Sequence, residues 1–264
     1  MTADTRFVHR LIFQPAQLLA SGQVVAAEML PDWPLQPHRG LEGQLAGGRG
    51  HGRAGQAALA AMQAACIAAQ HWPAGMSLWL NLPAGFASDL GFPAKIAAML
   101  ALSGLPSARI SLELPERLGN DIDSDRLIAL SGLRDLGVGL VLDGFGSRSA
   151  SLAALRRLPL TGMKLDRGLV RGLPEEREDA ALVRAAIDTA LALGLQVIAD
   201  GIETERQRCF LAAIGCQIGQ GMLFSHPLTD VGGFSRAPLP SCVVPIQGHI
   251  TRRDRQFPAT VHYS

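Results

Sequence analysis

Apolar strands that end in polar side chains recur along this chain, and this pattern constrains the fold more than any other feature. The side chains in question stand at or near the carboxyl ends of successive predicted strands and are Glu28, Asn81, Glu113, Asp143, Lys164, Asp166 and Asp200. The strand tips of an α/β barrel gather at one end and build the active site there. The pattern therefore predicts one polar site, whose oxygen atoms suit a hard cation such as magnesium, manganese or calcium.

Helical stretches separate these strands, and their alternation favours a parallel sheet with right-handed crossovers. A length of 264 residues fits one α/β barrel of eight strands, with an open doubly wound sheet as the alternative. The barrel is expected over residues 7–230, after a starting hairpin. Residues 33–55 have no periodicity and are expected to form a long loop, while residues 231–264 are expected to form a weakly ordered tail.

Composition excludes several classes of protein. The net charge of +1 gives no general attraction to a nucleic acid polymer or an acidic membrane. No run reaches the roughly 18 consecutive apolar residues of a membrane span, and no signal core opens the chain, so the cytoplasm is the expected location. The four cysteines have no metal-ligand spacing.

A series of short motifs follows the same order as the strand-end residues. The motifs are Phe13-Gln14-Pro15, Glu28-Met29-Leu30, Asn81-Leu82, Glu113-Leu114-Pro115-Glu116, Asp143-Gly144-Phe145-Gly146, Lys164-Leu165-Asp166, Asp200-Gly201-Ile202-Glu203-Thr204 and Gln220-Gly221-Met222-Leu223-Phe224-Ser225. With these motifs the chain resembles the EAL-domain family of cyclic di-GMP phosphodiesterases over roughly residues 7–230. The resemblance implies a modified TIM barrel and hydrolysis of cyclic di-GMP to the linear dinucleotide.

The resemblance also implies roles for individual residues. The first metal ion, Mg²⁺ or Mn²⁺, would be held by Glu28, Asn81, Glu113 and Asp143. Asp166 matches an acidic residue on the side of a second metal ion, and two such ions activate the attacking water and stabilise the leaving oxygen. The residues that match catalytic positions are Glu28, Lys164 and Asp200, and those that match the ligand pocket are Gln14, Leu30, Glu203 and Gln220.

Several positions depart from the family pattern. Gly144 stands where a second aspartate is usual, and Asp200 replaces a longer glutamate, so the second metal site is expected to be impaired. Asp32 replaces an arginine that contacts ligand phosphate, which exchanges attraction for repulsion. Residues 146–151 also depart from the usual loop, and we therefore predict a degenerate member with weak or no phosphodiesterase activity.

Simpler roles remain open for some of these residues. Asp143 could be only a turn residue before Gly144, and Lys164 could only neutralise the carboxylates. Glu203 could be the acidic first turn of a helix, and Gln220 could lie in an ordinary turn.

Three functions compete at this point. The first is a module that acts in signalling by binding cyclic di-GMP, a protein partner or a second copy of itself. The second is an active metal-dependent phosphodiesterase. The third is a barrel glycosidase that uses Glu28 and Glu113 as acid and base, against which the low aromatic content counts.

Overall fold

The computed structural model of the protein describes residues 11–30, 53–119, 122–147 and 152–229. Most of the predicted loop and the whole predicted tail lie outside these residues, as does Asp32. The strands, in chain order, are β1 (Ile12–Leu18), β2 (Val24–Leu30), β3 (Ser77–Asn81), β4 (Ile110–Pro115), β5 (Gly139–Phe145), β6 (Gly162–Leu165), β7 (Gln196–Ala199) and β8 (Ile218–Gln220).

These eight strands close into one barrel in sequence order. The pairs from β2 to β8 are parallel, whereas β1 is antiparallel to both β2 and β8. The closed α/β barrel that the sequence predicts is confirmed, and an open doubly wound sheet is excluded. The reversed first strand is the modification of the TIM barrel, and it makes the start of β1 lie at the same end as the tips of the other strands.

Helices connect the parallel strands and pack around the barrel. They are α1 (Arg53–Ala69), α2 (Phe92–Ser103), α3 (Ser124–Asp135), α4 (Leu152–Arg157), α5 (Arg167–Arg171), α6 (Arg177–Ala192) and α7 (Glu205–Ala213). The α1 helix begins at Arg53, inside the range 33–55 that was expected to form a loop, so the last residues of that predicted loop are helical. Among the helices of the described part of the chain, none is long and apolar enough to cross a bilayer.

The apolar residues divide into an outer and an inner cluster. The outer one lies between the barrel and its helices, and the inner one fills the barrel below the polar strand tips; the inner members are Ala16, Ala26, Trp79, Val141, Ile198 and Ile218. The large indole of Trp79 shares this cluster with two small residues, Ala16 on β1 and Ala26 on β2, which leave room for it. An apolar cluster is thus packed inside the barrel beneath the polar side chains of the strand tips.

The two ends of the described chain meet at the mouth of the barrel, which we define as the end where strands β2 to β8 finish. Phe13, near the start of β1, exchanges two backbone hydrogen bonds of 2.7 Å with Leu228. Ile12 also pairs with Leu30, the last residue of β2. The barrel is therefore closed at its seam by residues from both ends of the described region.

Candidate functional site

The strand register pairs several of the predicted site residues with one another at the mouth. Glu28 on β2 lies opposite Gln14 on β1, and Asn81 on β3 lies opposite Glu113 on β4. Because side chains alternate between the two faces of a strand, the inward position of one member of each pair fixes that of the other. The reversed direction of β1 is what brings Gln14, an early residue of its strand, to the mouth.

Lys164 on β6 is the centre of the polar layer. Its ammonium nitrogen donates hydrogen bonds to Glu28 Oε2 at 2.6 Å and to Glu113 Oε1 at 3.0 Å, and it lies 3.9 Å from Asp143 Oδ1. The side chain is only 3% exposed. The expected convergence of residues from β2, β4, β5 and β6 is therefore present.

Two amides complete the surroundings of Glu28. Asn81 Nδ2 donates to Glu28 Oε1 at 3.0 Å, and Gln220 Nε2 donates to Glu28 Oε2 at 2.9 Å. Gln220 Nε2 also lies 3.0 Å from Gln14 Oε1, so β1, β2 and β8 are linked across the seam of the barrel. Gln220 is thus a buried member of the site and not an ordinary turn residue.

The two carboxylates that share Lys164 differ in their electrostatics. Burial raises the pKa of Glu28, but the charge of Lys164 and the hydrogen bonds from Lys164, Asn81 and Gln220 outweigh burial and hold that pKa below its usual value. Burial and the charge of Glu28 raise the pKa of Glu113 well above its usual value, because Lys164 is its only hydrogen-bonding partner among the described side chains. The negative charge of Glu113 is therefore stabilised by fewer hydrogen bonds than that of Glu28.

Two aspartates beside this centre, Asp143 and Asp200, add to the excess of negative charge. Burial raises the pKa of Asp143 to about 6, with Lys164 opposing the rise and Glu28 and Asp200 adding to it. Burial likewise raises the pKa of Asp200. Although burial alone would lower the pKa of Lys164, the surrounding carboxylates hold it well above its usual value. Four carboxyl groups thus face one ammonium group.

This excess charge bears on whether a metal ion fits. As placed, no three His, Cys, Asp or Glu side chains in the described ranges are close enough together to hold one. Two buried oxygens of the site nevertheless have no hydrogen-bonding partner, namely Glu113 Oε2 and Gln220 Oε1. Unpaired buried oxygens and surplus carboxylates form the kind of donor set that a hard divalent cation uses, so the residues fit such an ion.

The remaining predicted residues lie around this centre. Asp200 follows β7, and its Oδ1 accepts from the backbone of Gly201 at 2.7 Å. Asp166 caps helix α5, since its Oδ1 accepts from Gly168 N at 2.7 Å. Leu30 ends β2 and is partly buried, and Glu203 is exposed just before the capped start of α7. No contact of the structure tests the metal or ligand roles expected for these four residues.

The turn after β5 is where the second aspartate would stand. Gly144 has a φ of 72°, and a Cβ placed there would meet only Ser147 Oγ, at 3.7 Å. Space for a side chain therefore exists, but the backbone is in the left-handed region that few residues other than glycine adopt readily. The carboxylate of Glu116 holds this turn, accepting from Gly146 N at 3.2 Å and Ser147 Oγ at 3.0 Å.

Sequence reasoning missed two contributors to the site. Trp79 lies beneath Lys164, with the ammonium 5.9 Å from the centre of its ring, where the ring face attracts a cation. Its place in an apolar strand gave no sign of this contact, but its position two residues before Asn81 puts it on the same inward face. Glu116 was noted only as part of a motif, and its link to the turn after β5 spans 30 residues of sequence.

Comparison with known proteins places this geometry in a family. The EAL domain model matches residues 6–227. The bifunctional diguanylate cyclase/cyclic di-GMP phosphodiesterase MucR of Pseudomonas aeruginosa is 32% identical over 226 residues, covering 83% of this chain and 33% of MucR. The cyclic di-GMP phosphodiesterase NbdA of the same organism is 34% identical over 226 residues, covering 83% of this chain and 29% of NbdA. The chain thus spans about a third or less of the length of these relatives.

Solved structures agree with the sequence comparison. The MucR phosphodiesterase in complex with cyclic di-GMP superposes with a TM-score of 0.73 at 31% identity, covering 83% of this chain and 91% of that one. A manganese and cyclic di-GMP complex of Klebsiella pneumoniae BlrP1 gives a TM-score of 0.72 at 26% identity, covering 84% of this chain and 56% of that one. Both the match over most of the chain and the barrel with its reversed first strand lead to one conclusion: this chain is a member of the EAL domain family.

Proposed function

We propose that this protein is a cyclic di-GMP-binding EAL module whose hydrolysis of the dinucleotide is weak or absent. The observation that carries this proposal is the turn at Gly144, which leaves open the place of a carboxylate beside Asp143. The relatives named as phosphodiesterases, and the neighbours in complex with cyclic di-GMP, support the choice of ligand.

A divalent ion would be held by Glu28, Asn81, Glu113 and Asp143, with Asp166 and Asp200 on the side of a second ion. When bound, such an ion supplies a polarising charge and lowers the pKa of water. Lys164 keeps Glu28 ionised and orients Glu113, so the protein itself fixes two buried carboxylates of this ligand set. Asp200 reaches less far than a glutamate, and an error of about 1 Å in the position of a catalytic group can cost about a hundredfold in rate.

An active phosphodiesterase is the second candidate. It is favoured by the convergence of Glu28, Asn81, Glu113 and Lys164 around shared hydrogen bonds. The glycosidase alternative is disfavoured by membership of the EAL family, whose named relatives act on a cyclic dinucleotide.

A titration of the purified protein with cyclic di-GMP, with and without manganese and followed by analysis of the nucleotide products, tests the proposal. We expect saturable binding and little or no linear dinucleotide. Turnover at the rate of an active relative such as NbdA, measured in parallel, would favour the second candidate. Absence of binding in both conditions would remove cyclic di-GMP as the ligand.

A further inference from the structure

Arg167 occupies the rim of the mouth in a position fixed by backbone packing. It is the first residue of α5 and follows Asp166 at the end of the segment that carries Lys164. A Cβ at Gly201 would lie 2.5 Å from Arg167 Cβ and 3.2 Å from its Cα. The absence of a side chain at Gly201, which has a φ of 75°, therefore lets the turn after Asp200 lie directly against Arg167.

The charges at the mouth oppose the approach of an anion. Glu28, Glu113, Asp143 and Asp200 surround the only buried cation of the described polar layer, Lys164, whose ammonium is already hydrogen-bonded to two carboxylates. A cyclic dinucleotide carries two negatively charged phosphates. A divalent ion held by the carboxylates would offset part of their charge, but Lys164 is buried and engaged, so further attraction for the phosphates must come from a cation at the rim.

Arg167 has the exposure and the chemistry to supply that charge. Its side chain is exposed, and no carboxylate of the described residues forms an ion pair with it. Its backbone lies against the turn at Gly201, directly after Asp200 at the tip of β7, so its positive charge is placed at the rim of the mouth. A guanidinium group can also donate two parallel hydrogen bonds to one phosphate.

We propose that Arg167 binds a phosphate group of the cyclic dinucleotide at the mouth of the barrel, an inference that rests on the proposed function. The bound phosphate lies between the guanidinium of Arg167 and the metal-binding carboxylates. Arg167 thereby provides affinity for the ligand without taking part in chemistry.

A second role for Arg167 gives the opposite expectation. If the arginine only neutralises Asp200, its removal leaves more negative charge at the mouth. Divalent cations would then bind more tightly, and the affinity for the nucleotide would stay unchanged or rise with them. The two roles therefore predict opposite changes in the affinity for cyclic di-GMP.

The test uses the full chain and the variants Arg167→Gln and Arg167→Lys. The matched control is Arg156→Gln, which makes the same change of charge at an exposed arginine in the last turn of α4, toward the opposite end of the barrel. Affinity for cyclic di-GMP is measured by calorimetry in manganese, with product analysis to correct for turnover. Affinity for manganese alone and the melting temperature are measured for each protein.

We expect Arg167→Gln to weaken nucleotide binding about tenfold to a hundredfold, as for loss of hydrogen bonds to a charged group. Arg167→Lys should lie between this variant and the unmodified protein, and Arg156→Gln should bind normally. Nucleotide affinity of Arg167→Gln within about twofold of normal, or a matching loss of manganese affinity, would overturn the proposal. If the unmodified protein binds no cyclic di-GMP, the proposed function fails first and this inference falls with it.

Discussion

Lys164 is the residue on which the charge balance of the site depends. It is hydrogen-bonded to Glu28 and Glu113 across 136 and 51 residues of sequence, and it lies over the ring of Trp79. Replacement by methionine keeps most of the volume but leaves both carboxylates without their cation. We expect Lys164→Met to lose about 3–5 kcal/mol of unfolding free energy, as when one partner of a buried ion pair is removed.

The measurement is urea denaturation in EDTA. Adding Glu113→Gln to Lys164→Met should recover part of the loss, because the glutamine removes a charge that then has no partner. A double variant less stable than Lys164→Met would show that repulsion between carboxylates is not the cause.

Gly144 and Asp200 allow a direct test of the missing second-metal ligands. The double variant Gly144→Asp with Asp200→Glu should raise manganese-dependent hydrolysis of cyclic di-GMP. A Cβ at Gly144 would meet only Ser147 Oγ, at 3.7 Å, and the left-handed backbone there costs a residue with a Cβ roughly 1–2 kcal/mol, with aspartate among the better tolerated. Adding Asp32→Arg should then tighten ligand binding.

Gly144→Ala with Asp200→Glu is the matched control, since it introduces the same backbone strain without the carboxylate. Product formation is followed by chromatography. If the triple variant binds cyclic di-GMP tightly and cleaves none, the absent carboxylate is not the defect. The turn held by Glu116 would then be the next cause to examine.

At the scale of elements, Arg109 connects the end of helix α1 to the turn before β3 through hydrogen bonds. Its Nε donates to Met76 O at 2.9 Å, and its Nη2 lies within hydrogen-bonding distance of the carbonyl oxygens of Ala69, Trp72 and Pro73. These carbonyls belong to the helix end and the turn that leads to β3, where backbone acceptors have no helical partner. The guanidinium thus orients the strand that carries Asn81.

Arg109→Lys keeps the charge, but a lysine ammonium lacks the planar set of N–H donors with which the guanidinium reaches several of these carbonyls at once. We expect a loss of about 1–3 kcal/mol of unfolding free energy, measured by urea denaturation. Arg156→Lys serves as the control at an exposed position and should have no effect. Equal stability of both variants would show that the carbonyls are satisfied in another way.

The elements also show how far the sequence predicts the structure. Polar residues at the strand ends predicted that Glu28, Asn81, Glu113 and Asp143 lie together at the mouth. This was possible because the side-chain period of a strand and the common direction of parallel strands can be inferred from the sequence. The short helix α5 was missed, since its five residues have no periodicity and its cap, Asp166, was interpreted only as a metal ligand. The hydrogen bonds of Gln220 were not predictable, because they exist only once β1 and β8 close the barrel.

At the scale of the molecule, the surplus of buried carboxyl groups links stability to pH and to metal ions. The pKa of Asp143 rises from 3.8 to about 6 on folding, and those of Glu113 and Asp200 rise as well. The folded state therefore binds protons more strongly at these groups. Asp143 reduces stability as pH rises from about 4 to about 6, and Glu113 and Asp200 act in the same direction. Glu28, whose pKa is lowered, acts in the opposite direction.

A divalent ion should offset this repulsion only where the carboxyl groups are ionised. We expect manganese to raise the melting temperature at about pH 7.5 and to have a much smaller effect at about pH 5, where protons compete for Asp143. Differential scanning fluorimetry with EDTA as the reference measures both shifts. Glu113→Gln should abolish most of the shift at the higher pH, and an equal shift at both values would contradict the assignment.

The antiparallel β1 strand has a consequence for anything joined to the barrel. Because β1 begins at the mouth and Leu228 pairs with Phe13, the first and last parts of the described chain both lie next to the polar strand tips. A tether attached at either of these two places would start beside the polar strand tips. Both places adjoin the seam where Gln14 contacts Gln220, one hydrogen bond away from Glu28, so a partner joined there would lie next to the residues that fix the site.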